Sequence, residues 1–343
     1  MYKRQLKGTG YTTGIFGKWH LGDADPYQPE NRGFDEVFIH GAGGIGQSLP
    51  GTQGAVPGTG YFNPIVKHNG TFESTTGYCT DVFFLQTLGW IKQNKDKPFF
   101  AYLACNAPHG PVIVADKYKE PFLEKSKEQK DAAFFGMIVN IDENMGLLME
   151  KLNEWELVNN TLLLFMTDNG TAKGSTYFNA GMKGDKGTAN EGGSRVPLFM
   201  RWPERIRAGR DIDRMTRHFD LFPTFAELAG AKLSKALRLD GRSLVPLLES
   251  PEGSKEPEWP DRYTFFHKGC WAKEGAPGRF GKGNFDPDEE KYRRFAVRNQ
   301  RFRLVGKNTL YDILRDPGET RNVLNERPEV AEGMLQAYEE WWS

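Results

Sequence analysis

The stretch Thr161–Gly170, TLLLFMTDNG, constrains the fold most. Its apolar run, Leu162 to Met166, stops abruptly at Thr167-Asp168-Asn169-Gly170. Before it, Asp131–Leu157 carries Met137, Ile141, Met145, Leu148 and Leu152 on one face at near-helical spacing. A short apolar run after such a helix reads as a buried parallel strand. A second run, Phe99–Ala104, precedes the helix, so strand, helix and strand alternate. That alternation predicts an α/β fold, a mostly parallel sheet sandwiched by helices. Ligands of such sheets bind beyond the carboxyl ends of the strands, where Asp168 and Asn169 stand. Their oxygens suit Ca²⁺ or Mg²⁺ better than zinc or copper. The same residues also make an ordinary Asx-type turn with Gly170 supplying positive φ. Taken alone, DNG is that turn more often than it is a metal site.

Composition excludes some classes. Lysine plus arginine and aspartate plus glutamate are both 45, so the net charge is zero and no general nucleic-acid binder is expected. No apolar run reaches the roughly 18 residues of a membrane span. Cys79, Cys105 and Cys270 form no C-x-x-C and no disulfide framework. The basic start MYKRQLKGTGYTTG has no apolar core of a signal peptide.

Other strand ends carry chemistry too. In YTTGIFGKWHLG, Thr12–Phe16 reads as a β-type run, and Gly17 turns the chain into Lys18, Trp19 and His20. Singly, Lys18 reads as a solvated lysine and His20 as a loop histidine. Val37–His40 leads into Gly41-Ala-Gly43-Gly44-Ile-Gly46, a match to G-x-G-x-x-G. Pro50, Gly51, Gly54, Pro57, Gly58 and Gly60 follow, so no helix can start there and nucleotide binding is rejected. Phe99–Ala104 ends in Asn106, Pro108, His109 and Pro111, which place His109 rigidly, as a site residue or as part of a packed turn. The glycine-rich loop from Gly181 to Pro203 carries Lys183, Lys186, Glu191 and Arg195, a pattern suited to an oxyanion or to a mobile surface loop.

Further helices are expected over Asp81–Asn94, with Asp81 as a possible N-cap, and over Asp220–Gly230. Three divisions follow: residues 1–250 as the main domain, 251–262 as a linker, and 263–343 as a smaller C-terminal antiparallel α+β subdomain. In that last part Tyr263–Phe266, Arg294–Arg298 and Phe302–Gly306 read as strands, and Pro328–Trp342 as a terminal helix. The basic cluster Lys291, Arg293, Arg294, Arg298, Arg301 and Arg303 reads as the solvated face of an edge sheet.

Four blocks in one order, GYTTGIFGKWHLG, NAPHGP, MTDNG and KGTANEGGSRVP, resemble the arylsulfatase-like sulfatases of the alkaline-phosphatase superfamily. DLFPTFAELAG, LDGRSLVPLL and LYDILRDPGETRNVL resemble that family's closing elements. The resemblance implies hydrolysis of sulfate esters by a formylglycine beside a bound Ca²⁺. By motif position, Asp168 and Asn169 would be metal ligands. Lys18 would hold a sulfate oxygen, and His20 would sit by the formylglycine hydrate. His109 would stabilise the sulfate or protonate the leaving oxygen. Lys186, five residues before Glu191, would bridge sulfate and leaving group, and Lys183 stands too early for that role. Cations aimed where charge develops are the physical logic of such a site.

The sequence departs from the family pattern in one respect. It has no pair of adjacent aspartates on an amino-terminal strand, and no C/S-x-P/A-x-R following such a strand: TDVF, NAPH and WAKE follow Cys79, Cys105 and Cys270, and Ser48-Leu-Pro50 lacks the arginine. The expectation is therefore an alkaline-phosphatase-like fold incomplete at the N-terminus, with a partial Ca²⁺ site and little or no activity of its own. A sulfated small molecule or glycan is the expected partner, and a periplasmic or secreted location that of the full-length family member. A non-catalytic protein binding sulfated ligands and a phosphoesterase of the same superfamily are the alternatives.

Overall fold

The computed structural model describes residues 2–22, 24–46, 60–234, 236–251, 257–267 and 291–343. Ser48-Leu-Pro50, Cys270 and residues 252–256 of the expected linker lie outside the described residues. The chain groups into two compact units. The first comprises Met1–Leu163, Arg201–Arg210 and Thr216–Pro257; the second comprises Leu164–Met200, Asp211–Met215 and Glu258–Ser343. Residues 164–200 thus pack with the C-terminal strands, a grouping that does not follow chain order.

In the first unit, α1 (Tyr2–Gly8) leads into β1 (Thr12–Lys18). β2 (Glu36–His40), β3 (Ile65–His68), β4 (Thr71–Ser74) and β5 (Phe99–Ala104) complete a five-stranded sheet of order β4-β3-β2-β1-β5. β1 pairs in parallel with both β2 and β5, while β3 and β4 add an antiparallel edge. The alternation along β1 dictates the layers. Phe16 points to a core shared with Phe83, Phe84, Leu88 and Ile91 of α2 (Cys79–Asn94) and with Met137, Leu148 and Leu152 of the long helix Gln129–Glu154. Ile15 faces the other way, into a smaller cluster with Trp19, Phe34, Val37 and Ile39. On that side Phe100 of β5 meets Phe225 of the helix Leu221–Leu228. Helices on both faces of a sheet whose central strands are parallel match the expected layering.

Two local expectations change. α2 starts at Cys79 with Tyr78 as N-cap, so Asp81 is not the cap. Its Oδ1 instead accepts hydrogen bonds from Nδ2 of Asn140 and of Asn144, both at 2.8 Å. A carboxylate that can satisfy two amides from a facing helix is spent on tertiary packing rather than on its own helix start. The β3–β4 hairpin had no counterpart in the sequence expectations, although Asn69-Gly70, with positive φ at both residues, is its turn signal.

In the second unit, β6 (Leu163–Met166) pairs with β7 (Leu198–Arg201), and the rings of Phe165 and Phe199 meet. A four-stranded antiparallel sheet follows: β8 (Thr264–His267), β9 (Phe295–Arg298), β10 (Phe302–Val305) and β11 (Thr309–Asp312). Tyr311-Asp312 closes β11 and leads into a turn. The terminal helix Pro328–Trp342 lays Met334 and Tyr338 on Phe295, Val297 and Leu304.

The basic cluster needs correction. Arg303 is 1% exposed and Arg298 9%, so neither lies on a solvated face. Period-2 alternation places residues on one face of a sheet but does not say whether that face is covered.

Candidate functional site

In the first unit the site is made by strand ends. β1, β2 and β5 run parallel, so their carboxyl ends share one edge of the sheet. The register sets Lys18 beside His40 and Gly17 beside Ala104. Gly17 has φ +101°, and a Cβ there would lie 2.2 Å from the Ala104 carbonyl oxygen. Only glycine lets β1 turn out against β5 so closely. The turn delivers Lys18 half-buried and His20 exposed. Beyond β5, His109 follows after the short segment Cys105-Asn106-Ala107-Pro108.

His109 is held by a chain of hydrogen bonds. The Ile45 amide donates to Asn106 Oδ1 at 3.0 Å, and Asn106 Nδ2 donates to the Tyr61 hydroxyl at 2.5 Å. The Tyr61 hydroxyl in turn donates to the His109 carbonyl oxygen. The His109 ring bonds through Nδ1 to the Gly110 carbonyl oxygen at 2.7 Å, leaving Nε2 as the outer nitrogen. Beside it opens a cleft of about 580 Å³ walled by Ile45, Tyr61, Pro111 and Ile113. Asn106 and Tyr61 are 2% exposed, so this support is part of the core.

His40 was not among the residues singled out from sequence. Its position at the end of Val37–His40 was the available signal. It is 2% exposed, and its Nδ1–H donates to the Gly41 carbonyl oxygen at 3.0 Å. Burial, helped by the positive fields of Lys18, His109 and His20, lowers its pKa to about 4. It is therefore neutral at pH 7. Lys18 ends β1, His20 follows it and His109 follows β5, so all three come from the edge on which His40 ends β2.

The second unit holds Asp168, Asn169 and Lys186. Asp168 is exposed and Asn169 half-buried, just beyond β6. Thr167 Oγ1 donates to the Asn169 carbonyl oxygen at 3.2 Å. The Gly170 amide donates to the Gly193 carbonyl oxygen at 3.1 Å, and the Lys186 amide donates to Thr171 at 2.8 Å. A Cβ at Gly170 would fall 1.9 Å from the Gly192 carbonyl oxygen. Backbone thus packs on backbone, and the DNG turn is joined to the loop that carries Lys186, which is itself exposed.

That loop is anchored through charge. Glu191, 1% exposed, accepts on Oε1 from Arg298 Nε at 2.7 Å and from Arg303 Nη2 at 2.6 Å. Burial pushes its carboxyl up, but the Arg303 and Arg298 guanidinium groups override this and hold it below the usual carboxylate value. Glu191 therefore serves the scaffold.

Among the described residues, no group of three or more His, Cys, Asp or Glu is placed to hold a metal ion. Asp168 and Asn169 offer adjacent oxygens, fewer than the six to eight that Ca²⁺ takes. The described cysteines are poor nucleophiles. Burial pushes the Cys105 thiol up to about 12 and the Cys79 thiol higher still, so neither supplies thiolate at neutral pH.

The sulfatase family model matches residues 4–231, about two thirds of the chain. The chain belongs to the sulfatase family. It is 29% identical over 288 residues to the uncharacterized sulfatase YdeN of Escherichia coli K12, an alignment covering 74% of this chain and 48% of that protein. It is 29% identical over 273 residues to human N-acetylgalactosamine-6-sulfatase, covering 77% and 50%. This sulfatase-family chain therefore spans about half the length of the curated relatives it matches. In structure it resembles Ps i-CgsB with a TM-score of 0.81 at 27% identity, over 99% of this chain and 73% of that one. A second Ps i-CgsB structure is a complex with k-i-k-neocarrahexaose.

Proposed function

We propose that this chain carries the sulfate-recognising part of a sulfuric ester hydrolase. The observation that carries this reading is the shared edge of β1, β2 and β5, at or after whose carboxyl ends Lys18, His20, buried His40 and His109 all stand. Lys18 and Lys186 would place positive charge against the sulfate oxygens, and His109 would give a proton to the leaving oxygen through Nε2. His20 would stand by the nucleophile. Preorganised charge of this kind favours a transition state in which negative charge builds on the leaving oxygen.

Asp168 and Asn169 would supply two oxygens to a Ca²⁺ ion whose remaining ligands lie outside the described residues. Bound there, the ion would add positive charge at the sulfate. The formylglycine would come from none of these site residues; the C/S-x-P/A-x-R match in the chain, Ser234 to Arg238, follows the helix Leu221–Leu228 and not an amino-terminal strand. By itself the chain would bind sulfated sugars with little or no turnover. The full-length protein would work in the periplasm or outside the cell.

Calorimetry with galactose 6-sulfate tests the reading. Binding in the millimolar range or tighter is expected, weakened at least tenfold by Lys18→Ala and unaffected by an equal concentration of galactose. No heat with the wild-type chain, or equal binding of both sugars, overturns it.

A further inference from the structure

The loop that carries Lys186 is held from outside as well as by its own bonds, among them the Gly192 amide donating to the Lys183 carbonyl oxygen at 2.8 Å. Lys186 lies in a tight turn in which the Thr188 amide donates to the Asp185 carbonyl oxygen at 3.0 Å, and Thr188 Oγ1 donates to that same oxygen at 2.7 Å. Both feet of this turn rest on the C-terminal sheet and the turn that follows it. At the first foot, Lys183 Nζ donates to the Glu319 carbonyl oxygen at 3.2 Å and reaches the Tyr311 hydroxyl at 3.4 Å. At the second, Glu319 Oε1 accepts the Glu191 amide at 2.6 Å, and Glu319 Oε2 accepts from Asn190 Nδ2. Arg303 of β10 adds bonds to Glu191 Oε1, to the Ala189 carbonyl oxygen and to Ser194 Oγ.

One residue therefore touches both feet. Glu319 is 1% exposed and has φ +50°, a conformation unfavourable for a residue with a Cβ. The turn around it is set by Asp316, whose carboxylate accepts the Thr320 amide at 2.7 Å and the Arg321 amide at 2.8 Å. We propose that Glu319, seconded by Arg303, is the positioning residue for Lys186, and that the DPGET turn fixes the loop from which that lysine meets sulfate. Its catalytic consequence rests on the sulfate-binding role of Lys186 given above. Glu319 itself touches no substrate. It acts by closing the 183–191 segment into one conformation, so that the Lys186 ammonium is presented without an ordering cost at binding.

Hydrogen–deuterium exchange of the full chain, read with galactose 6-sulfate calorimetry, tests this. Glu319→Ala is expected to speed amide exchange across residues 184–195 at least tenfold, to leave β1 and β5 unchanged, and to weaken the sugar at least fivefold. Glu319→Gln keeps an acceptor for the Glu191 amide and is expected to recover at least half of the lost protection. Lys183→Met, which releases only the first foot, is a gentler variant and should loosen 184–188 alone. Unchanged exchange over 184–195 in both Glu319→Ala and Lys183→Met overturns the proposal, as does equal loosening of β8–β11, which would mark a purely structural residue. A wild-type chain that ignores galactose 6-sulfate defeats the sulfate reading, while the exchange pattern still decides whether Glu319 orders the loop.

Discussion

Lys18 and Lys186 sit on scaffolds made of opposite materials. Lys18 ends a strand whose flanks are Ile15 and Phe16, both 0% exposed, within apolar layers under helices. Lys186 ends nothing regular. Its loop is fixed by a buried carboxylate between two buried arginines and by backbone packed on backbone. An apolar layer tolerates adjustment, because its attraction is non-directional. A buried ion pair gives a single geometry, and losing one partner leaves the other charged and dry. Glu191 Oε2 and Arg298 Nη1 have no hydrogen-bond partner, so this network secures shape at some cost in stability.

The largest expected effects test that contrast directly. Glu191→Ala should cost about 3–5 kcal/mol by stranding Arg303. Phe83→Ala should cost a similar ~3–5 kcal/mol through a cavity under β1. Chemical denaturation measures both, but only the first can be repaired. Glu191→Leu with both Arg298→Met and Arg303→Met should recover at least half of the loss, since apolar residues of like volume often replace a buried ion cluster without penalty. No recovery would mean that the two scaffolds fail in the same way.

Acid should separate them next. The folded pKa of His40 is lowered from 6.5 to about 4. The unfolded chain therefore binds its proton first, and the stability tied to neutral His40 is complete above pH 6.5 and lost as pH falls toward 4. The shift corresponds to about 3 kcal/mol. The carboxyl of Glu191 is also depressed, from 4.5, so its contribution persists to lower pH and goes only as pH drops through its folded value. Melting curves between pH 7 and 4 should show the loss, and His40→Gln should flatten it. An undiminished slope in that variant would assign the acid sensitivity elsewhere.

Smaller effects probe the device the two regions share. Gly17→Ala and Gly170→Ala each drive a Cβ into a carbonyl oxygen and should cost roughly 1–3 kcal/mol. Gly17→Ala adds the strain of φ +101° and should be the worse of the two by thermal melting. The least change is expected from Lys186→Ala and His20→Ala. Both side chains are exposed, and stability should stay within about 0.5 kcal/mol even where sugar binding falls. A larger drop would show that these residues also serve the scaffold.

The sequence by itself determined what local pattern can determine. Phe99–Ala104 and Pro328–Trp342 lie where their apolar spacing put them, and Lys18, His109 and Asp168 stand at or after strand ends, where polar residues interrupt apolar runs. It also gave the family, since several spaced blocks in one order do not recur by chance. Tertiary structure alone decided which charges went inside. Asp81 turned out to serve Asn140 and Asn144 on another helix, and Arg298 and Arg303, alternating like surface residues, closed on Glu191 more than 100 positions earlier. An alternating strand fixes which side chains share a face, but whether that face meets water or a buried carboxylate depends on segments distant in sequence. The loop of Lys186 and its hold on Glu319 therefore became visible only once those segments had met.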